Sequence, residues 1–282
     1  MDPQAGSHLH ASGPLTRFAP APTGLLHIGH VVNALFVWRF ARATGGRVLL
    51  RIEDHDRQRS RSHYERALLD DLDWLGFAAD IYPTDAFRAG QCSGRQSDRD
   101  GAYRFALASL LARGLVYGCD CSRKQLESRV YLGRCRDRGI PLRDDVGWRL
   151  RVNAGVETFV DLALGRQVQT PSMQCGDLLI RDRLGNWTYQ WAATTDDTLQ
   201  GITHVIRGVD LLESTGRQIY LARLLGRESP PAFLHHPLVM KSPDQKVSKS
   251  DGDTGIRAMR DDGWSAEQVI GYAESLVPVP LS

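Results

Sequence analysis

Two short stretches hold the densest concentration of chemically useful side chains: His27-Ile28-Gly29-His30 and Lys246-Val247-Ser248-Lys249-Ser250. The first follows Arg17-Phe18-Ala19-Pro20-Ala21-Pro22-Thr23-Gly24, a strand end running into a Pro/Gly-punctuated loop. An apolar, helix-like run from Val31 to Arg42 comes after it. The histidines therefore fall at a helix N-terminus. Free backbone N–H groups and the positive end of the helix dipole favour an anion there, and Gly29 lets a bulky ligand approach the backbone. Two imidazoles add donors for phosphate oxygens. The second stretch lies in a polar loop that starts at Lys241-Ser242-Pro243-Asp244-Gln245 and runs on to Asp251-Gly252-Asp253. Its ammonium groups suit a polyphosphate, and such a loop can follow the charge that develops on ATP. Either stretch alone also fits an ordinary solvated loop. Together they point to a nucleotide site, with His27, Gly29, His30, Lys246, Ser248 and Lys249 as the candidate catalytic set. Of these, His27, Gly29, His30 and Lys249 are the candidate ATP ligands.

Three further groups could do chemistry. Cys119-Asp120-Cys121 and Cys135 put three thiols within seventeen positions, a set of soft donors that suits zinc. The fourth ligand is open between Tyr131, Asp120, Cys175 and water, and three reduced buried cysteines are the bland alternative. Cys92 and Cys175 read as ordinary small residues. Glu53-Asp54-His55-Asp56 follows a strand, where open α/β sheets place ligand sites, and an acid there can bind an ammonium or a metal. Helix capping competes, and it fits Asp56 and Ser60 better than Glu53. Arg17 and Arg207 each sit at an expected strand end, and a guanidinium fork is the usual partner of a carboxylate.

The elements that must carry these residues alternate. A strand near Leu15 to Phe18, a helix from about Val31 and a strand from Arg47 to Ile52 make a βαβ unit. Helices follow from Ser62 to Leu75, with Leu68, Leu69, Leu72 and Leu75 on one face, and from Ser97 to Arg113. This pattern predicts an α/β fold with a parallel sheet. From Leu115 to about Arg183 short strands and turns with most of the cysteines suggest an insertion. Alternation resumes with strands at Trp187–Trp191 and Thr203–Arg207, a helix from about Gly216 to Leu225 and a last helix from Ser265 to Ser275. The expected division is a tail at 1–14, a first catalytic half at 15–114, an insertion at 115–185, a second half at 186–240, and a loop with a helical segment at 241–282.

At 282 residues and 42% hydrophobic, the chain can bury one large core or two modest ones. No uninterrupted apolar run approaches the roughly 20 residues that span a bilayer, and Met1 to Pro14 lacks the basic start and apolar stretch of a secretory signal. Five cysteines, an odd number, argue against a disulfide framework. The expectation is a cytoplasmic protein with no membrane partner. Thirty-five basic against 33 acidic side chains leave a net charge of +2, so a nucleic acid would be held by local patches. Arg57, Arg59 and Arg61 form one such patch, and Arg134, Arg136, Arg138 and Arg143 another. Only 32 residues follow Ser250, so a further independent domain is not expected there.

The His27 and Lys246 stretches resemble the HIGH and KMSKS signatures of class I aminoacyl-tRNA synthetases. The flanks sharpen this: Arg17 to Gly24, His27 to His30 and Leu49-Leu50-Arg51-Ile52-Glu53-Asp54 look like the glutamyl-tRNA synthetase pattern, and similarity continues through Tyr189, Asp196-Asp197 and Val205 to Leu212. Length and the C-x-C, Tyr, Cys arrangement resemble its truncated paralogues, the glutamyl-Q tRNA(Asp) synthetases. That resemblance implies a Rossmann-like class I catalytic domain with a zinc-bearing insertion and a short helical C-terminus. It implies ATP with Mg²⁺ as substrate, L-glutamate activated to the adenylate, and transfer to queuosine in tRNA(Asp). Carried over, Arg17, Phe18, Ala19, Pro20, Ala21, Glu53, Tyr189 and Arg207 form the glutamate pocket, and Tyr131 joins Cys119, Cys121 and Cys135 on one structural zinc ion. Ala21 stands where Ser is common and Gln190 where Asn is usual. The alternatives are a minimal glutamyl-tRNA synthetase charging a tRNA 3′ end, or a tRNA-binding paralogue without catalysis.

Overall fold

The structure is a computed structural model that describes residues 13–122, 125, 130–242, 245–246 and 255–276, with 240–242 and 245–246 described by backbone alone. Strand β1 (Leu15–Phe18) and β2 (Arg47–Leu50) pair in parallel, Leu15 opposite Arg47 and Phe18 opposite Leu50. Helix α1 (Ile28–Thr44) makes the crossover and stops at Gly45, whose φ of 62° suits a residue without a Cβ. It starts three residues before the expected Val31 because His27 and His30 cap it. Ile28, Val31, Val32, Leu35 and Phe36 are buried against the β1–β2 pair and against Leu68, Leu69, Leu72 and Leu75 of α2 (Ser62–Leu75).

After α3 (Thr84–Arg88) and α4 (Asp100–Ala112) the chain builds two sheets at once. Strands β3 (Val116–Cys119), β4 (Gly147–Leu150) and β7 (Leu178–Arg181) form an antiparallel sheet that carries the cysteines. Strands β5 (Glu157–Asp161) and β6 (Gly165–Gln169) do not belong to it. They join β9 (Ala232–His236) and β8 (His204–Gly208) in the order β6-β5-β9-β8, and β8 and β9 run parallel. The stretch expected as an insertion at 115–185 is thus shared between two sheets. Reciprocal bonds between Leu15 and Thr203, 2.7 and 2.8 Å, set β1 beside β8.

Short α5 (Pro171–Gln174) precedes β7, and α6 (Tyr189–Leu199) follows it. The expected strand at Trp187–Trp191 is corrected here. Trp187 makes only a single bridge to Arg181, and Tyr189 opens α6, whose buried Trp191, Ala192 and Thr195 recur at helical spacing. Helix α7 (Thr215–Leu224) packs on α6. The hairpin β10 (Met240–Ser242) and β11 (Gln245–Lys246) then leads on to α8 (Ile256–Asp261) and α9 (Ala266–Ser275), whose Val269 and Ala273 close the core around α1. Among the described residues no helix is long and apolar enough to cross a membrane.

Candidate active site

A cavity of ≈ 640 Å³ opens where β1, β2 and β8 end. Parallel strands present their C-terminal ends on one edge, so residues far apart in sequence converge there. Arg17, Ala19 and Ala21 come from β1 and the loop after it, His27, Gly29 and His30 from the start of α1, Glu53 from beyond β2, Tyr189 from α6 and Arg207 from β8. Phe18 and Pro20 do not line the cavity. Phe18 is buried in the main core with its ring against Trp38, and the Pro20 carbonyl accepts the Glu53 N–H at 3.0 Å, joining the two loops. Lys246 is placed by backbone in β11, and Ser248 and Lys249 lie outside the described residues.

The start of α1 is capped by imidazoles in place of the usual hydroxyl and carboxylate. His27 Nδ1 accepts the Gly29 N–H and His30 Nδ1 accepts the His27 N–H, each at 3.1 Å. In a neutral ring whose Nδ1 is an acceptor the proton sits on Nε2, so both rings are fixed as Nε2 donors. The ring centroids lie 3.9 Å apart. A Cβ at position 29 would come within 3.0 Å of the His27 ring, so glycine is needed for the cap as much as for ligand approach. Leu26 accepts the Ile256 N–H at 3.0 Å and His27 bridges Gly255, so the chain beyond the lysine-rich stretch returns to the histidine segment.

Beneath the cavity lies a buried charge cluster. Arg51, fully buried, donates to Asp197 at 2.7 Å and to Gln200 at 2.8 and 3.1 Å, with Glu53 at 3.8 Å and Asp196 at 3.9 Å. Burial opposes its charge, but the three carboxylates outweigh burial and raise the guanidinium pKa. Burial likewise works against ionised Asp197, yet Arg17 at 3.1 Å and Arg51 hold it below the usual carboxylate range. Glu53 differs: burial dominates, pushes its pKa up, and Arg51 only partly offsets the shift.

Arg207 is the opposite case. It donates to His235 Nε2 at 3.0 Å, Gln218 at 2.7 Å, Thr215 at 2.9 Å and the Tyr189 hydroxyl at 3.4 Å, all neutral groups. The Asp161 carboxylate, 2.6 Å from His235 Nδ1, fixes that ring with Nε2 as the acceptor. Burial lowers the Arg207 pKa, and among the described residues it has no ion-pair partner.

Sequence reasoning missed several lining residues. Asn33, one turn beyond His30, reaches His236 Nε2 at 3.1 Å, and its i+3 spacing was a usable signal. His55, whose Nδ1 lies 2.7 Å from Gln96 Oε1, sits within the acidic quartet already noted. Nothing local marks His236 or Leu238, whereas Asp210 falls in the Val205–Leu212 stretch already singled out; all three line the cavity.

Away from the cavity, the ligand atoms of Cys119, Cys121 and Cys135 lie within 4.8 Å of one another, a cluster that could hold a metal ion. Cys121 and Cys135 sulfurs are 3.4 Å apart, and the Tyr131 hydroxyl lies 3.5 Å from Cys119 Sγ. Asp120 Oδ1 accepts from Arg138 at 2.7 Å and also lies 3.3 Å from Cys135 Sγ, while Cys175 turns its thiol to the Pro171 and Gly176 carbonyls. Three clustered soft sulfurs suit a metal ion, and the Tyr131 oxygen, which also accepts the Cys135 N–H at 2.8 Å, is the phenol donor beside them.

A helix start aimed into a cavity at the parallel-strand ends, with a basic wall and an acidic floor, suits an anionic nucleotide beside a zwitterionic ligand. The family described as tRNA synthetases class I (E and Q), catalytic domain, matches residues 15–133 and 145–276. Relatives include the glutamyl-Q tRNA(Asp) synthetase of Pseudomonas paraeruginosa, 44% identical over 83% of this chain and 76% of that protein. That of Symbiobacterium thermophilum is 41% identical over 94% of this chain and 87% of that protein. The chain belongs to the glutamyl-Q tRNA(Asp) synthetase family and is a ligase-type enzyme. Among solved structures, a glutamate tRNA ligase from Elizabethkingia meningosepticum in complex with its amino acid superposes with a TM-score of 0.72 at 27% identity. The match covers 85% of this chain but only 52% of that ligase.

Proposed function

We propose that this enzyme activates L-glutamate with ATP to glutamyl adenylate and pyrophosphate, then transfers the glutamyl group to queuosine in tRNA(Asp). The observation that carries the reading is the contrast across one cavity between Arg207, a buried cation with only neutral partners, and Glu53, a buried acid facing it. An amino acid with a second carboxylate complements both. Glu53 takes the α-ammonium, and Arg207 and Arg17 take the carboxylates. Ala19, Ala21 and Tyr189 line that pocket, while Phe18 and Pro20 act from behind it, anchoring β1 in the core and joining its loop to Glu53.

Activation needs no protein nucleophile. The α-carboxylate oxygen attacks the α-phosphorus, the new O–P bond replaces the bond to pyrophosphate, and pyrophosphate leaves with the electron pair. His27 and His30, fixed as Nε2 donors beside the α1 N-terminus, meet the phosphate charge as it develops, joined by Lys246, Ser248 and Lys249. Mg²⁺ bound with ATP would supply charge neutralisation at the outer phosphates. Catalysis is positioning and electrostatics. Cys119, Cys121, Cys135 and Tyr131 hold one structural zinc ion that cross-links the segment after β3.

Glutamate-dependent ATP–pyrophosphate exchange is expected without tRNA, and Lys249→Ala should nearly abolish it. Labelled glutamate should then reach queuosine-bearing tRNA(Asp) and not tRNA(Glu). Absence of exchange with any amino acid overturns the reading, and equal labelling of tRNA(Glu) at its 3′ end replaces it with 3′-end charging. Protein purified without chelator should contain about one zinc per chain by elemental analysis; none would defeat the metal assignment.

A further inference from the structure

Three neighbouring strands carry one hydrogen-bonded line of side chains that ends at the cavity. Asp161 closes β5, His235 lies in β9 and Arg207 in β8. The parallel register sets Arg207 opposite His235, and Asp161 opposite Phe233, two residues before His235. All three side chains are buried, and of the three only Arg207 lines the cavity.

The two oxygens of Asp161 have different roles. Oδ1 accepts the N–H groups of Ala163 and Leu164, each at 3.0 Å, and that of His235 at 3.4 Å, so it shapes the turn between β5 and β6. Oδ2 faces His235 Nδ1 at 2.6 Å. A carboxylate oxygen only accepts, so the ring proton sits on Nδ1 and Nε2 keeps a lone pair. That lone pair takes the Arg207 Nε–H at 3.0 Å. Thr215 Oγ1, which accepts from Arg207 Nη2 at 2.9 Å, lies 3.3 Å from the same Nε2. Burial and the adjacent guanidinium both lower the His235 pKa, which favours the neutral ring. The other tautomer would point an Nε2–H at the Arg207 Nε–H, donor against donor, and Thr215 offers that proton another acceptor. Arg207 would then lose the bond that fixes the rotation of its guanidinium plane.

We propose that Asp161 and His235 are positioning residues for glutamate recognition. The proton that Asp161 holds on His235 Nδ1 keeps Nε2 an acceptor, and that acceptor aims Arg207 at the substrate carboxylate. The inference rests on the glutamate pocket proposed above, and adds that its geometry is set two strands away by a residue outside the cavity lining.

Asp161→Asn separates the two oxygens. Asparagine keeps an Oδ1 acceptor for the turn and puts an amide donor in place of Oδ2, which forces the ring proton to Nε2. His235→Gln makes the complementary change, because a glutamine amide oxygen can stand where ring Nε2 stood and needs no carboxylate to keep it an acceptor. Glutamate and ATP affinities of the full chain are read by titration calorimetry for wild type, Asp161→Asn and Asp161→Asn/His235→Gln. Asp161→Asn should weaken glutamate binding about tenfold, the lower end for a hydrogen bond to a charged group, and leave ATP within about twofold. The double variant should recover most of that loss. Nitrogen-15 spectra of labelled histidine should place the His235 proton on Nδ1 in wild type and on Nε2 in Asp161→Asn. Unchanged glutamate affinity in Asp161→Asn overturns the proposal, as does a wild-type proton on Nε2. Equal loss of glutamate and ATP binding, or a double variant no better than Asp161→Asn, assigns Asp161 to the fold and overturns it too. Wild-type enzyme that binds glutamate without pyrophosphate exchange defeats the function proposed above, while the affinity comparison still decides the role of Asp161. Wild-type enzyme that binds no glutamate overturns both.

Discussion

Arg51 and Arg207 are both buried guanidiniums within one site, and they are wired in opposite ways. Arg51 lies under the floor with Asp197, Asp196 and Glu53 around it, while Arg207 on the wall meets imidazole, amide and hydroxyls. The first has its charge consumed by the fold. The second has its orientation fixed by the fold and its charge left for a ligand, because neutral partners locate a guanidinium without neutralising it. A buried ion pair is weak evidence of function, whereas a buried cation held only by neutral groups is a strong one.

The comparison breaks first at Arg51. Arg51→Met leaves Asp197 with Arg17 alone, takes the guanidinium away from buried Glu53 and Gln200, and should cost about 3–5 kcal/mol of unfolding free energy, read as a fall in denaturant midpoint. Arg207→Gln removes a charge that no carboxylate balances, so stability should hold or rise. The KM for glutamate in exchange should climb about 30- to 150-fold, the equivalent of roughly 2–3 kcal/mol. If the two variants lose equal stability, the distinction between structural and functional arginine fails.

Asp71 in α2 is an intermediate case. Both its carboxylate oxygens lack hydrogen bonds, Arg257 Nε of α8 stands 3.7 Å away, and burial pushes its pKa up to about 6 in spite of Arg257 and Arg260. A raised folded pKa means that the native state favours the neutral acid. Its contribution is therefore complete below about pH 4, the unfolded value, and is lost as pH rises to about 6. Unfolding free energy should fall across that window by up to roughly 3 kcal/mol, and Asp71→Asn should flatten the slope. The smallest effect is expected at Gly29→Ala. A displacement of the His27 ring by a few tenths of an ångström should slow exchange only several-fold, with little change in thermal midpoint.

Local pattern was enough for the first βαβ unit. Leu15–Phe18 and Ser62–Leu75 are read correctly to the residue because apolar period and flanking turn residues agree there. Trp187–Trp191 misleads because aromatic residues at alternate positions mimic a strand, while the helical recurrence of Trp191, Ala192 and Thr195 starts only inside the window. The placement of β5 and β6 beside β9 was not legible either, since it depends on long-range pairing such as Asp161 with Phe233. In the site, residue types named Arg17, Glu53 and Arg207 as candidates, but nothing near Arg207 in sequence announces His235, 28 positions away, as its neutral partner. Convergence at strand ends is a property of topology, and charge balance is a property of convergence.

The bond from Ile256 to Leu26 turns spacing into a ruler. Eight residues separate Lys246, fixed by backbone in its hairpin, from Gly255, fixed on the histidine segment, so their number is a tether length between two described points. Each residue inserted or deleted along that tether alters its maximum reach by about 3.5 Å, more than a hydrogen bond's length. Length there is constrained in addition to the identities of Ser248 and Lys249.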